Sequence, residues 1–318
     1  MNRRKFLGTT IAGGAIVLME GLPKLVTAAM SSAAKSTFLL GGDLSVNRLG
    51  FGAMRITGEG IWGWPADREN AKKVLRRAVD LGVNLIDTAD AYGPEVSEEL
   101  IAEALHPYAK GLVIATKGGL TRPGPGQWVP NGRPEYLSQC VDKSLKRLKL
   151  ERIDLYQLHR IDKNVPVEES LGALKKAQEA GKIRHVGLSE VSVKEIEQAK
   201  KVLPIVSIQN RYKIEDRDSE EALNYCEKEK MGFLPWAPIG GSGKSSLSKP
   251  GNPLEAEAKR RGVAVVPLAL AWLLQKSPVM LPIPGTANVA HLEENMAAAK
   301  LQLTPADWKT IETLAARA

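Results

Sequence analysis

Four side chains able to carry or exchange a proton, Asp87, Tyr92, Lys117 and His159, stand at or just past the ends of short apolar runs. Three further runs end on polar or aromatic residues, Ser189, Gln209 and Trp236. A tyrosine phenol gives up its proton near pH 10. An ammonium beside it favours the phenolate and draws that value down, and a carboxylate keeps the ammonium charged. Taken singly, each residue has an ordinary structural explanation. Lys117 reads as a surface lysine, His159 as a satisfied edge histidine, Asp87-Thr88 as a strand-ending cap and Tyr92-Gly93 as a turn. The set acts as an acid–base group only if the chain brings the strand ends to one place.

The pattern of elements provides such a place. Residues 37–46 read as a hairpin around Gly41-Gly42-Asp43. Eight apolar runs follow, at 48–52, 83–87, 112–117, 153–159, 183–189, 205–209, 232–236 and 279–284. Nearly continuous apolar character in short runs suits parallel strands covered on both faces. Between them, stretches such as 68–81, 97–105, 134–148, 167–180, 193–202 and 219–229 show helical apolar spacing, and 304–318 reads as a last helix. Gly82, Gly111, Gly181 and Gly232 read as helix stops before strands. Eight strand–helix units in one chain predict an α/β fold, a (β/α)8 TIM barrel over residues 37–318 with an N-terminal β-hairpin. A doubly wound open sheet competes, but no Gly-x-Gly-x-x-Gly follows an early strand. In a closed barrel the active site lies at the carboxyl ends of the strands, where the residues named above converge.

The bulk composition agrees with a globular domain and narrows the class. Of 318 residues, 43% are apolar and 25% charged, enough for a sizeable core. The net charge of +8 is modest and dispersed. The pairs Lys72-Lys73 and Arg76-Arg77 alternate with apolar residues, as on the wet face of a helix. No basic stripe or nucleic-acid module appears. The two cysteines, Cys140 and Cys226, and the four histidines show no metal-ligand spacing, so no metal site is expected. Residues 1–29 are of another kind. Arg3-Arg4-Lys5-Phe6-Leu7 precedes an apolar, Gly-rich run and a small-residue end at Val26-Thr27-Ala28. This is the layout of an export signal, here of twin-arginine type, with the export machinery as a partner and an extracytoplasmic location. The run is too short for stable membrane insertion. Loss of residues 1–28 removes four basic and one acidic residue and leaves a net charge of +5. A start at Met30, giving a cytoplasmic protein, is the competing reading.

Gly82-Val83-Asn84-Leu85-Ile86-Asp87-Thr88-Ala89-Asp90-Ala91-Tyr92-Gly93 resembles the aldo-keto reductase signature. The resemblance continues through Ile114-Ala115-Thr116-Lys117, Asp154-Leu155-Tyr156-Gln157-Leu158-His159, Gly187-Leu188-Ser189, and Ile283-Pro284-Gly285-Thr286 with Glu294-Asn295. It spans roughly residues 37–317 in the family's order. It implies an NADPH-dependent reductase of aldehydes or ketones, with NADH kept open, and a monomer. Tyr92 would be the general acid, Lys117 its electrostatic partner, Asp87 the holder of Lys117, and His159 the group orienting the carbonyl oxygen. The cofactor would supply hydride and the protein the proton.

The same resemblance implies cofactor contacts. Ser189 and Gln209 would meet the carboxamide and Trp236 would stack on the nicotinamide, where Tyr is usual. Gly52, Ala53 and Met54 would border the cofactor, Gly240 and Gly241 would approach the pyrophosphate, and Gly285, Thr286, Asn288, His291 and Asn295 would hold the adenosine end. Two departures stand out: Glu190 replaces a common Asn, and Gly285 a common Lys facing the 2′-phosphate, while His291 stands where Arg is usual. Trp62, Trp64 and Trp128 would line an apolar mouth for a small carbonyl substrate, an aromatic aldehyde such as pyridoxal. Arg160 and Asp162 would touch a polar substrate. Two other readings compete. One is an NADPH-holding sensor with little turnover. The other is a phosphate-binding isomerase or aldolase barrel with a Lys117 Schiff base, which leaves Tyr92 and Asp87 without a task.

Overall fold

The structure, a computed structural model, describes residues 37–240, 247 and 250–315. The export-signal segment 1–29 and Gly241 lie outside the described residues. The chain opens with an antiparallel hairpin, β1 (Thr37–Leu40) and β2 (Leu44–Asn47). Its turn is made by Gly41 and Gly42 at φ +62° and +86°, a conformation open to glycine without a Cβ penalty. Seven parallel strands then form one sheet: β3 (Phe51–Gly52), β4 (Leu85–Asp87), β5 (Val113–Gly118), β8 (Ile153–Leu158), β9 (Ile183–Ser189), β10 (Ile205–Gln209) and β11 (Gly232–Phe233), neighbours in that order. A short ribbon, β6 (Leu120–Thr121) with β7 (Val129–Pro130), follows β5. Helices α1 (Arg68–Asp80), α2 (Val96–Leu105), α3 (Pro134–Leu148), α4 (Val167–Glu179), α5 (Val193–Lys200) and α6 (Glu220–Glu229) connect the strands. After β11 come α7 (Glu255–Arg260), α8 (Val265–Lys276), α9 (Val289–Ala297) and α10 (Pro305–Ala315).

The eighth predicted run does not build a full strand ladder. Met280 forms a single parallel bridge to Phe233. The segment still closes the barrel. Phe233 N–H donates to Val279 O at 2.9 Å and Leu281 N–H to Phe233 O at 2.8 Å on one side. On the other, Gly50 N–H donates to Pro282 O at 2.9 Å and Gly52 N–H to Pro284 O at 3.3 Å. Pro282 and Pro284 have no N–H to give, so toward β3 this run pairs only through its carbonyls and cannot form the alternating ladder there. Arg48 fastens the seam from beneath: its buried guanidinium donates to the carbonyls of Met280, Leu274 and Ser277. Burial lowers its pKa to about 10, which leaves it charged at neutral pH.

Side chains alternate across the sheet with a period of two. Leu85, Val113, Ala115 and Leu155 point into the barrel and pack against Leu40, Leu44 and Val46 of the hairpin, with Leu234, Leu281 and Ile283. The hairpin therefore plugs the barrel's amino-terminal end, and each buried leucine there contributes roughly 1.5–3 kcal/mol. Ile86 and Ile114 point outward, under α1 and α2, and Tyr156, Leu158, Val186 and Leu188 pack outward in the larger cluster beneath the other helices. In α1, Ala71, Val74, Leu75 and Ala78 face inward, and the Lys72-Lys73 and Arg76-Arg77 pairs take the wetter side. Both cysteines are buried and free.

Two of the four glycine stops need correction. Gly82 and Gly181 follow helices at φ +91° and +75°, as expected. Gly111 lies in the turn before β5, well after α2 ends at Leu105. Gly232 is inside β11, and the left-handed residue ending α6 is Lys230 at φ +57°. A Cβ on Gly232 would lie 2.7 Å from Leu40 Cδ1, so its bareness makes room for the hairpin plug. Among the described residues no helix is long and apolar enough to cross a membrane.

Candidate active site

The inward parity that buries Leu85, Ala115 and Leu155 at the barrel's middle also sends Asp87, Lys117 and Gln157 inward one layer higher. Register then sets them side by side: Lys117 pairs with Gln157, Gln157 with Gly187, and Ser189 with Gln209. Lys117 is fully buried. Its ammonium donates to Asp87 Oδ2 and to the Thr88 carbonyl, each at 2.7 Å, and to the Tyr92 hydroxyl at 3.3 Å. The other Asp87 oxygen accepts from Gln209 Nε2 at 2.7 Å and Gln157 Nε2 at 3.3 Å. The buried carboxylate is thus saturated, as a charge in this layer must be. Tyr92 arrives from the loop after β4 and stands edge-on to His159, ring centroids 5.8 Å apart. The four expected residues therefore do meet.

The electrostatics differ from the sequence expectation in one respect. Burial pushes the Tyr92 phenol up, and the Lys117 ammonium pulls it back only in part, so its pKa lies above the ordinary tyrosine value. Lys117 acts in the expected direction, but desolvation of the phenolate exceeds it. Tyr92 accordingly keeps its proton at neutral pH, the form that a proton donor needs. Burial also works against the Lys117 charge, yet Asp87 and Tyr92 hold its pKa above the ordinary lysine value. Burial, then the charges of Lys117, Arg160 and Arg122, press His159 well below the ordinary histidine value. A neutral imidazole results, one ring N–H donor and one acceptor. Its Nδ1 is buried without a protein partner.

Of the three tryptophans assigned to the mouth, Trp128 reaches the centre. It stands edge-on to Tyr92 at 6.2 Å and to His159 at 6.4 Å. Arg122 covers its outer face at 3.5 Å and lies 5.4 Å from the Trp62 ring. The guanidinium also donates to Ala91 O at 2.6 Å, Gln127 O at 2.8 Å and Ile61 O at 3.3 Å, tying three loops into one rim. Trp64 is exposed and carries Arg68 on its ring at 3.8 Å, at the start of α1. Arg160 turns inward and donates to Ser189 Oγ at 3.0 Å. Asp162 does not face the mouth: its carboxylate accepts the backbone N–H groups of Gly132 and Asn164 and holds its own loop.

The cofactor candidates fall along one side of the mouth. Gly52 and Gly285 cross with their backbones in contact. A Cβ at 285 would lie 2.4 Å from Gly52 O, and one at 52 would lie 2.6 Å from Ile283 O. This gives a steric reason for glycine at 285, and Arg55 runs beside it, its Cγ 3.6 Å from the same Cβ position. Ala53 is buried, Met54 half-buried, Gly240 described at φ +82°. The Thr286 hydroxyl accepts Asn288 N–H at 3.0 Å, and Asn288 caps α9 by accepting from Ala290 and His291. His291 is exposed and Asn295 buried. Gln209 donates to Asp87, and Ser189 accepts from Arg160. Trp236 is half-buried, its indole N–H donating to Glu190. This donor set, bare glycine backbone beside a flat indole and scattered cations, fits a dinucleotide.

Three participants escaped the sequence reading. Gln157 was detectable, since it lies two residues before His159 and so shares its face. Arg122 and Asp90 carried no such signal. Asp90, two residues before Tyr92, is buried with Oδ1 unpartnered. Burial, and then the charge of Glu98, raise its pKa from 3.8 to about 7. The sign follows: as pH rises from 3.8 to about 7 the unfolded chain releases a proton that the fold retains, so stability falls across that window. Asp90→Asn therefore raises the unfolding free energy at pH 8, by at most about 4 kcal/mol, and has no such benefit near pH 4. Urea titrations at the two pH values check this; an equal effect at both would refute it.

Comparison with known proteins places this geometry in context. The model described as "Aldo/keto reductase family" matches residues 48–316. An uncharacterised oxidoreductase of Schizosaccharomyces pombe is 51% identical over 263 residues, 83% of this chain and 85% of that protein. Pyridoxine 4-dehydrogenase of Escherichia coli is 41% identical over 283 residues, 87% of this chain and 97% of that protein. A Klebsiella pneumoniae aldo/keto reductase, solved in complex with NADP and acetate, superposes with a TM-score of 0.74 at 25% identity, covering 88% of this chain and 95% of that one.

Proposed function

The chain belongs to the aldo/keto reductase family, and from that premise we propose how its site works. It is an NADP-dependent oxidoreductase that reduces an aldehyde or ketone to an alcohol. When bound, the reduced nicotinamide supplies the hydride. His159, neutral, donates a hydrogen bond to the carbonyl oxygen and orients it. Tyr92 holds the proton and passes it to that oxygen as negative charge develops there. Lys117, kept charged by Asp87, stabilises the phenolate that remains. The single observation that carries the reading is the chain of contacts Asp87–Lys117–Tyr92, with His159 facing the phenol.

Ser189, Gln209 and Trp236 are the residues we assign to the nicotinamide. Gly52, Ala53, Met54, Gly240, Gly285, Thr286, Asn288, His291 and Asn295 are assigned to the rest of the cofactor. Arg55 stands near the position where a family lysine is absent. Trp128 and Trp62 would flank the substrate, and an aromatic aldehyde fits a rim made of indoles and one guanidinium. The pyridoxine 4-dehydrogenase relative supports that class. Titrating the full chain with NADPH and NADH by fluorescence, and following NADPH oxidation with 4-nitrobenzaldehyde and pyridoxal, tests the reading. We expect saturable NADPH binding and aldehyde-dependent oxidation. Tight binding without turnover would favour a sensor, and absence of binding to either nucleotide would overturn the assignment.

Export by the twin-arginine route is proposed from residues 1–29 alone, and a monomer from family resemblance. N-terminal sequencing of the extracytoplasmic fraction tests the first, and a cytoplasmic product starting at Met30 would refute it. Light scattering tests the second.

A further inference from the structure

Glu190 occupies an unusual place. It follows β9 at φ +56°, a left-handed conformation costly for a side chain with a Cβ. Its own N–H still pairs with Gln209 O at 3.0 Å, so the strand register is kept while the side chain turns across the end of β10. There one oxygen, Oε1, receives two donors: the Arg211 backbone N–H at 2.9 Å and the Trp236 indole N–H. Trp236 is held again through its backbone, which donates to Asn210 O at 3.1 Å. Two cations stand near this group. Arg211 lies 5.9 Å from the indole ring but is paired with Asp216 at 2.9 Å. Arg160 donates to the Ser189 hydroxyl and the His159 carbonyl and stands within electrostatic reach of Glu190. Glu190 is the acid in direct contact with the indole.

We infer that Glu190 is a positioning residue for Trp236, and that its carboxylate biases the site toward the oxidised, positively charged nicotinamide over the neutral reduced ring. The inference rests on the proposed stacking of the nicotinamide on Trp236. An indole N–H bonded to a carboxylate has a more electron-rich π face, and such a face attracts a cation more strongly than a neutral ring. The same contact fixes the indole plane, which serves both redox forms alike. Geometry and charge are therefore separable. Glu190→Gln keeps an acceptor oxygen for both donors and removes the charge. Glu190→Ala removes both.

The experiment is fluorescence titration of the full chain with NADP+ and with NADPH, for wild type, E190Q and E190A, each also in a Trp236→Phe background to isolate the signal of that indole. The expected result for E190Q is a Kd for NADP+ raised about 3–10-fold, with that for NADPH nearly unchanged. E190A weakens both forms and diminishes the quenching that Trp236 contributes. In the Trp236→Phe background the redox selectivity of E190Q disappears. Equal shifts of both forms in E190Q, or selectivity that survives without Trp236, overturn the charge bias. Unchanged Kd values in E190A overturn the positioning role. A wild type that binds neither nucleotide would instead sink the reading beneath it.

Discussion

Tyr92→Phe lowers kcat by about 10²–10⁴-fold while the affinity for NADPH stays near that of the wild type. The hydroxyl is the only part removed, and it accepts the 3.3 Å hydrogen bond from Lys117. The ring keeps its edge-on packing against Trp128 and His159, so the pocket keeps its shape. What disappears is the proton that must reach the carbonyl oxygen. In the free pocket burial holds that phenol above the ordinary tyrosine value, so at neutral pH the whole population carries the proton. Single-turnover mixing with NADPH and an aromatic aldehyde, read at the cofactor's absorbance, measures the loss directly. Wild-type turnover in the variant would remove Tyr92 from the acid role and leave His159 as the donor to examine.

Lys117→Met is expected to be harmful twice over. The ammonium sits fully buried between Asp87, Thr88 O and Tyr92. Removing it leaves the Asp87 carboxylate in the barrel with only the two glutamine amides as donors. An uncompensated buried charge of this kind costs roughly 3–5 kcal/mol of stability. Activity falls at least as far as in Tyr92→Phe, because the phenolate left after proton transfer loses its counter-charge. The double variant Asp87→Asn, Lys117→Met separates the two effects. With both charges gone, stability returns toward the wild type, while turnover stays abolished. Urea unfolding together with steady-state kinetics on the three chains decides it. A Lys117→Met variant as stable as the wild type would mean that Asp87 finds another partner or is protonated there.

Much of this protein could be read from its residues in order. Eight apolar runs at regular intervals, and polar residues at their carboxyl ends, are local facts. A strand buried on both faces must be apolar throughout, and a barrel exposes its strand ends at one mouth. Asp87, Lys117 and His159 at the strand ends, and Tyr92 just beyond one of them, are therefore legible from the order of residues, and the signature segment assigns their roles. The hairpin at Gly41-Gly42 was legible for the same local reason, since its turn needs positive φ.

Other features depend on which strand lies beside which, and only the folded chain decides that. Gln157 and Gln209 converge on Asp87 because the parallel register stacks β4, β8 and β10 at one level around the barrel. The last run meets β3 through carbonyls alone because Pro282 and Pro284 offer no N–H, and its partners there, Gly50 and Gly52, lie some 230 residues earlier in the chain, a separation no local pattern encodes. Gly232 was misread as a helix stop because its real constraint is a leucine in the distant hairpin. The balance at Tyr92 also needed tertiary structure: a lysine neighbour predicts a lowered pKa, but the depth of burial, which sequence spacing does not give, sets the sign. The pairing of Glu190 with Trp236 joins residues 46 positions apart. It arises because the ends of β9 and of the run beginning at β11 flank β10, so two ordinary-looking residues become one contact only when the sheet curls.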